Sequence, residues 1–237
     1  MVINPNALGL DLPPGTVRVQ PSFWRADEPA TSDTWGRLLP AREAAGFQPV
    51  LLTDTQYLHP GRVADPDDLD PVATLTELWD LVREEDEEAA DEPWPGLAPP
   101  GRGDEDPDVV AARVAGELAA NDEWLKGARG ALVPARRGAD VLAALGWGGS
   151  SHHTDAVRLS AVLRSWEDRF GIRVVGLGED LLYLAVAAPP RTVGDALAVA
   201  AEHEAFCPDA VWQDYDSRRA YAVEEVLDRD HWVFWWD

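Results

Sequence analysis

The chain has 237 residues, 46% of them apolar, with 11 tryptophans and a formal net charge of −23 from 43 acidic against 20 basic residues. That charge opposes binding to nucleic acid or an anionic membrane, since both need a basic face. The length suits one large domain or two small ones, the single cysteine, Cys207, excludes an internal disulfide, and no stretch approaches the ~20 apolar residues of a membrane span.

Residues 1–15, rich in Pro and Gly, read as an irregular lead-in, and Thr16–Gln20 alternates as a strand. Ser32 or Asp33 is placed to cap a helix carrying Trp35, Leu38 and Leu39, and Pro40 predicts either a kink or a second short helix. Gly46 ends it, and Phe47–Thr53 reads as a buried strand. Asp70-Pro71 is a cap followed by proline, and Val72, Leu75, Trp79 and Val82 follow at helical spacing. That helix runs into the acidic run after Arg83, which opposes the helix dipole and predicts a frayed end. Residues 84–106 are acid, Pro and Gly, and read as a flexible connector between an N-terminal α/β segment, 1–83, and a C-terminal α+β domain, 107–237.

Asp106-Pro107 repeats the helix-start signal, for a helix to about Trp124. Ala131–Ala135 predicts a short strand whose Pro134 suits a sheet edge. A short helix over 140–145 precedes the glycine-rich loop Gly146–His153. Thr154 or Asp155 then caps a helix with an unbroken stripe, Ala156, Leu159, Leu163, Trp166 and Phe170, which Gly171 ends. Ile172–Leu177 and Leu181–Ala187 form a hairpin through Gly178-Glu179-Asp180, and Thr192 caps a helix to about Phe206. A last helix over 217–227 leads into His231-Trp232-Val233-Phe234-Trp235-Trp236-Asp237. On a strand Trp232, Phe234 and Trp236 share one face and His231, Val233 and Trp235 the other. Two apolar faces predict a central strand covered on both sides. The expected fold is therefore α+β, a mixed sheet with helices packed on it and the C-terminal aromatic strand at its centre.

The chemistry-bearing residues gather late in the chain. His203 and Cys207 lie four apart on one helix face, and Glu202, Asp209, His231 and Asp237 are available to join them. Imidazole, thiolate and carboxylate are zinc's ligands, but a site needs three or four of them and only His203 and Cys207 have a defined spacing. A buried cysteine is also an ordinary core residue, so no metal and no cofactor is expected. Glu204 falls within the apolar stripe of Val193, Leu197 and Ala200. A carboxylate there needs water at the stripe's edge, an arginine such as Arg164 or Arg173, or a functional pocket. The loop 146–153 precedes a helix N-terminus, where an anion can bind; the alternative is a plain turn.

Gly146-Trp147, Leu163-Arg164-Ser165-Trp166-Glu167-Asp168-Arg169-Phe170-Gly171, Pro189-Pro190-Arg191-Thr192, Ala201-Glu202-His203, Phe206-Cys207-Pro208-Asp209 and the closing Trp232–Asp237 together resemble the bacterial family called domain of unknown function 4253, over about residues 131–237. The chain departs from that pattern at Glu204, where an aromatic residue is usual, and at His152-His153, where asparagine is common. The resemblance implies a bacterial cytoplasmic protein and no particular reaction. The N-terminus also lacks a signal-peptide pattern. Acidity and tryptophan density together point to a protein-binding module, immunity-like, that blocks a basic partner, with Trp235 and Asp237 as contact candidates. The alternative is a metal-dependent or Cys/His enzyme using Glu202-His203 and Cys207-Pro208-Asp209.

Overall fold

The computed structural model describes residues 4–54, 58–59, 65–85, 92–121 and 125–237. Two halves of the chain build one seven-stranded sheet: β1 (Gly15–Val19), β2 (Ser22–Ala26), β3 (Phe47–Leu52), β4 (Arg129–Pro134), β5 (Ile172–Leu177), β6 (Leu181–Val186) and β7 (His231–Trp235), in the order β1-β2-β4-β3-β5-β6-β7. Only β3 and β5 pair in parallel, so the sheet is mixed. The fold is α+β, as composition and periodicity predict.

Both sheet faces are covered. On one face lie α3 (Pro71–Glu85), α5 (Val141–Leu145), α6 (Ala156–Phe170) and α7 (Val193–Phe206). On the other lie α1 (Thr34–Leu38), α2 (Pro40–Ala45) and α4 (Pro107–Asn121). Strand β6 shows the division clearly: Leu182, Leu184 and Val186 enter the first core, and Leu181, Tyr183 and Ala185 the second. The proline at position 40 separates α1 from α2, because it cannot donate the helical hydrogen bond. Gly46, Gly146 and Gly171 each follow a helix with φ of 59–70°, the left-handed turn that glycine enters without a Cβ clash.

Three sequence expectations need correction. Strand β4 is interior, flanked by β2 and β3; Pro134 is harmless because it is the strand's last residue. Residues 21–31 carry no predicted element, whereas Pro21 lies in the turn into strand β2. Strand β7 stands at the sheet's margin, paired with β6 alone. Its inner residues Trp232, Phe234 and Trp236 are buried in the first core, while His231, Val233 and Trp235 are only half-buried. The strand is central to the aromatic core rather than to the strand order. Its outer edge is partly closed by the Cys207 thiol, which donates to the Trp235 carbonyl at 3.0 Å, and by the short helix α8 (Pro208–Trp212). The expected last helix is short, α9 (Arg218–Tyr221), continued by a π-helical turn over Ala222–Val226.

Residues 86–91 of the expected connector lie outside the described residues. Residues 84–85 close α3, and 92–106 has no regular secondary structure but packs on the first core. Trp94 meets Trp79 edge to face at 5.4 Å, and Ala98 is buried. At Gly101 a Cβ would sit 1.7 Å from the Ala188 carbonyl oxygen, so only glycine permits this approach.

Candidate functional site

Helix α7 carries three consecutive polar residues, Glu202, His203 and Glu204, all fully buried. A helix turns about 100° per residue, so consecutive side chains must find separate surroundings. Each does.

Glu202 accepts four hydrogen bonds. Arg169 grips it with two, Nη1 to Oε1 at 2.7 Å and Nη2 to Oε2 at 2.6 Å. Trp166 Nε1 donates to Oε2 at 2.7 Å, and the Ala98 backbone N–H donates to Oε1 at 2.7 Å. Arg169 is itself oriented by Ser165 and also donates to the Ala98 carbonyl at 2.9 Å. This is a closed, bidentate ion pair with its remaining lone pairs satisfied, the form in which a buried charge is tolerable.

Glu204 resolves differently from either arginine named for it. It pairs with Arg83 and Arg218, not with Arg164 or Arg173. Arg218 continues to Glu92 through two bonds of 2.9 and 3.0 Å, which holds the Glu92 carboxyl below its usual range. Arg83 and Arg218 both lie over the Trp79 ring, at 4.0 and 5.0 Å. Arg83 and Arg218 are distant in sequence from Glu204, and nothing in helical spacing points to either.

His203 sits in an aromatic cage. The rings of Trp232, Phe234 and Trp166 stand edge-on to it at 4.5, 4.8 and 5.0 Å. Its Nδ1 is 2.9 Å from the Tyr221 hydroxyl, and Nε2 has no hydrogen-bond partner among the described residues. Burial first, and the Arg169 charge second, push its pKa well below the usual imidazole value, so the ring is neutral. Burial likewise pushes the Cys207 thiol up, which keeps it a protonated, unreactive sulfhydryl. Glu202, His203 and Cys207 thus make separate hydrogen bonds, to Arg169, Tyr221 and the Trp235 carbonyl, and do not converge. No group of three or more His, Cys, Asp or Glu suited to a metal ion occurs among the described residues.

The other three nominated residues do come to the surface together. Asp209 Oδ2 accepts the Asp237 N–H at 3.1 Å, and Trp236 N–H donates to the Asp180 carbonyl at 3.1 Å. Trp235 pairs in register with Leu181. The end of the sheet therefore gathers Asp180, Asp209 and Asp237, with Glu179 next to Asp180 and the half-buried Trp235 at the end of β7. Beside it opens a cleft of about 340 Å³ lined by Thr53, Asp54, Lys126, Gly127, Gly178, Glu179, Asp180 and Leu181. Thr53 and Gly178 follow the C-terminal ends of the parallel pair β3 and β5, the position where open sheets with parallel strands commonly leave a crevice. Sequence reasoning missed this cleft. Its one legible signal was Lys126, the sole lysine; the turn 178–180 read only as a hairpin.

The glycine-rich loop is a structural turn. Trp147 Nε1 donates to the Gly178 carbonyl at 2.9 Å, and Gly149 lies against that indole and the Glu179 carbonyl. The N-terminus of α6 is already capped by Asp155, which accepts from the Val157 and Arg158 N–H groups at 3.0 Å each. The plain-turn reading of the loop is the one this geometry fits.

Residues 129–237 match the family model described as Domain of unknown function (DUF4253). The match begins at β4 and takes in β5, β6 and β7 with the helices between them. No curated protein and no solved structure matches the chain.

Proposed function

We propose that the protein is an acidic protein-binding module of the cytoplasm that recognises a basic protein partner through the sheet end bearing Glu179, Asp180, Asp209, Asp237 and Trp235. The observation that carries this reading is the disposition of its charges. Among the described residues, fourteen arginines are held in ion pairs with carboxylates of the same chain. The positive charge of these arginines is thus neutralised locally, in a chain whose formal net charge is −23. Glu179, Asp180 and Asp237 have no ion pair among the described residues. Carboxylates of this kind accelerate encounter with a cationic surface and select against acidic ones. Trp235 and the cleft supply apolar and polar contact beside them. No described helix is long and apolar enough to cross a membrane.

The experiment compares two variants of equal net charge. Glu179→Gln/Asp180→Asn/Asp237→Asn neutralises the sheet end; Glu43→Gln/Asp104→Asn/Glu117→Gln neutralises exposed sites elsewhere. Binding of a fluorescent arginine-rich peptide is followed by anisotropy at several salt concentrations. The sheet-end variant should bind at least tenfold more weakly, and the control close to wild type. Equal weakening of both would mean that net charge alone attracts the probe, and the reading would fall.

A further inference from the structure

The stretch Glu92-Pro93-Trp94-Pro95-Gly96-Leu97-Ala98-Pro99-Pro100-Gly101 lies across α3, α6 and α7 in the manner of a bound peptide. Its inward positions alternate: Trp94, Gly96 and Ala98 are buried or half-buried, while Pro93, Pro95, Leu97 and Pro99 are exposed. That is the period of an extended chain; four prolines pre-set it on either side of Gly96, whose φ of 88° turns the backbone once.

The groove reads this segment in three places. At one end Arg218 holds the Glu92 carboxylate and Trp79 Nε1 donates to the Glu92 carbonyl at 2.9 Å. Next, Trp94 meets Trp79. At the third, a single peptide unit is read on both sides: Glu202 accepts the Ala98 N–H and Arg169 donates to the Ala98 carbonyl. Paired reading of one residue's donor and acceptor is how proteins recognise extended peptide backbone, with side-chain pockets adding selectivity. Trp166, Arg169, Glu202 and Arg218 lie in the family-matched region, whereas the segment that fills the groove lies outside it. The groove also supplies arginines in an otherwise acidic molecule, and they meet the segment's Glu92.

We propose that this groove is a binding site for an extended, proline-rich peptide, and that residues 92–101 occupy it as a tethered strap which such a segment of a partner protein displaces. The partner segment carries an acid, an aromatic residue two positions on, and a small residue four beyond that, matching Glu92, Trp94 and Ala98. The strap is held at discrete anchors, Glu92, Trp94, Ala98 and Gly101, whose N–H donates to the Arg169 carbonyl at 3.0 Å, and most of its surface between them faces solvent. Segments of that kind open locally without global unfolding. This site is separate from the acidic sheet end, and neither proposal depends on the other.

The test uses the full chain and a labelled peptide with the sequence of residues 92–101. In the wild type the tethered strap competes at an effective concentration on the order of millimolar, so added peptide binds weakly. Trp94→Ala with Ala98→Pro removes the aromatic anchor and the amide donor from the tethered copy and leaves the groove intact. By fluorescence anisotropy that variant should bind the peptide at least tenfold more tightly than wild type. A peptide with proline in place of Ala98 should lose the gain. A variant that melts cooperatively yet shows no tenfold gain would overturn the proposal. If the variant does not fold, hydrogen exchange on the wild type decides. An Ala98 amide that opens at least a hundredfold more often than the amides bonded between β5 and β6 supports a displaceable strap. Exchange of both only through global unfolding overturns it.

Discussion

Glu202→Gln is the most informative single change. Two donors meet each carboxylate oxygen: Ala98 N–H and Arg169 Nη1 at Oε1, and Trp166 Nε1 and Arg169 Nη2 at Oε2. An amide keeps one oxygen and turns an NH₂ toward the other two donors, whichever way it is flipped. Arg169, with its side chain only 12% exposed, loses its counter-charge. Breaking a buried pair from one side costs about 3–5 kcal/mol, and each orphaned buried donor about 1–3 kcal/mol. Because Arg169 and the strap can relax toward water, about 3–5 kcal/mol is expected for the whole substitution, a large part of a usual stability of about 5–15 kcal/mol. Urea unfolding at neutral pH measures it. With a slope of about 3 kcal/mol/M, the midpoint should fall by about 1–1.7 M at unchanged slope. A fall under about 0.3 M would mean that the four bonds are not made together, and the account of the α6–α7–strap junction would be refuted.

The two faces of β7 should differ. Trp236→Ala, at a residue 1% exposed, should cost about 3–5 kcal/mol, and Trp235→Ala, on the half-buried face, less than half of that in the same urea assay. Stability should also fall with acid. The folded-state pKa of His203 is depressed, so below the ordinary imidazole range the unfolded chain binds a proton that the folded chain does not. That costs stability at about 1.4 kcal/mol per pH unit as pH drops from 6.5. Wild type measured at pH 7.5 and 5 should show the loss, and His203→Gln should flatten it. Cys207 should resist a thiol reagent in native protein and react fully in urea, since it is buried and its thiol is pushed up; fast native labelling would contradict both statements.

Local chemistry made most elements legible. The caps Asp155 and Thr192 and the stops Gly46 and Gly171 are short-range signals, and the helices they bound lie close to expectation. Strand order depends on which edges meet, and no local rule carries that. Strand β7 illustrates the gap: apolar residues on both faces read as a central strand, yet Val233 and Trp235 touch only the margin of the second core because α4 lies over β5 and β6. Among the site residues, Asp209, Trp235 and Asp237 meet at one surface, as their shared position near the sheet end permits. Glu202, His203 and Cys207 looked like ligands because of their chemistry, but their partners, Arg169, Tyr221 and the Trp235 carbonyl, come from other elements. Nothing local in the expected connector, 84–106, announces the contacts that 92–106 makes. Its composition is mostly acid, Pro and Gly, but Trp94 packs on Trp79 and Ala98 is held by side chains more than sixty residues away.

The parallel contact between β3 and β5 also sets a timetable for synthesis. Leu51 faces Gly176 across 125 residues of chain. At about 5–20 residues per second, β3 waits roughly 6–25 s on the ribosome for its neighbour. Trp232, Phe234 and Trp236 emerge later still, and until they do Trp166, Phe206 and His203 have no aromatic partners from β7 to cover them. A sheet dominated by such distant pairings closes slowly once the chain is complete. The nascent protein therefore carries exposed tryptophan and an unpaired flank of β3 until β5 emerges. Its dependence on chaperones should exceed that of a helical protein of equal length.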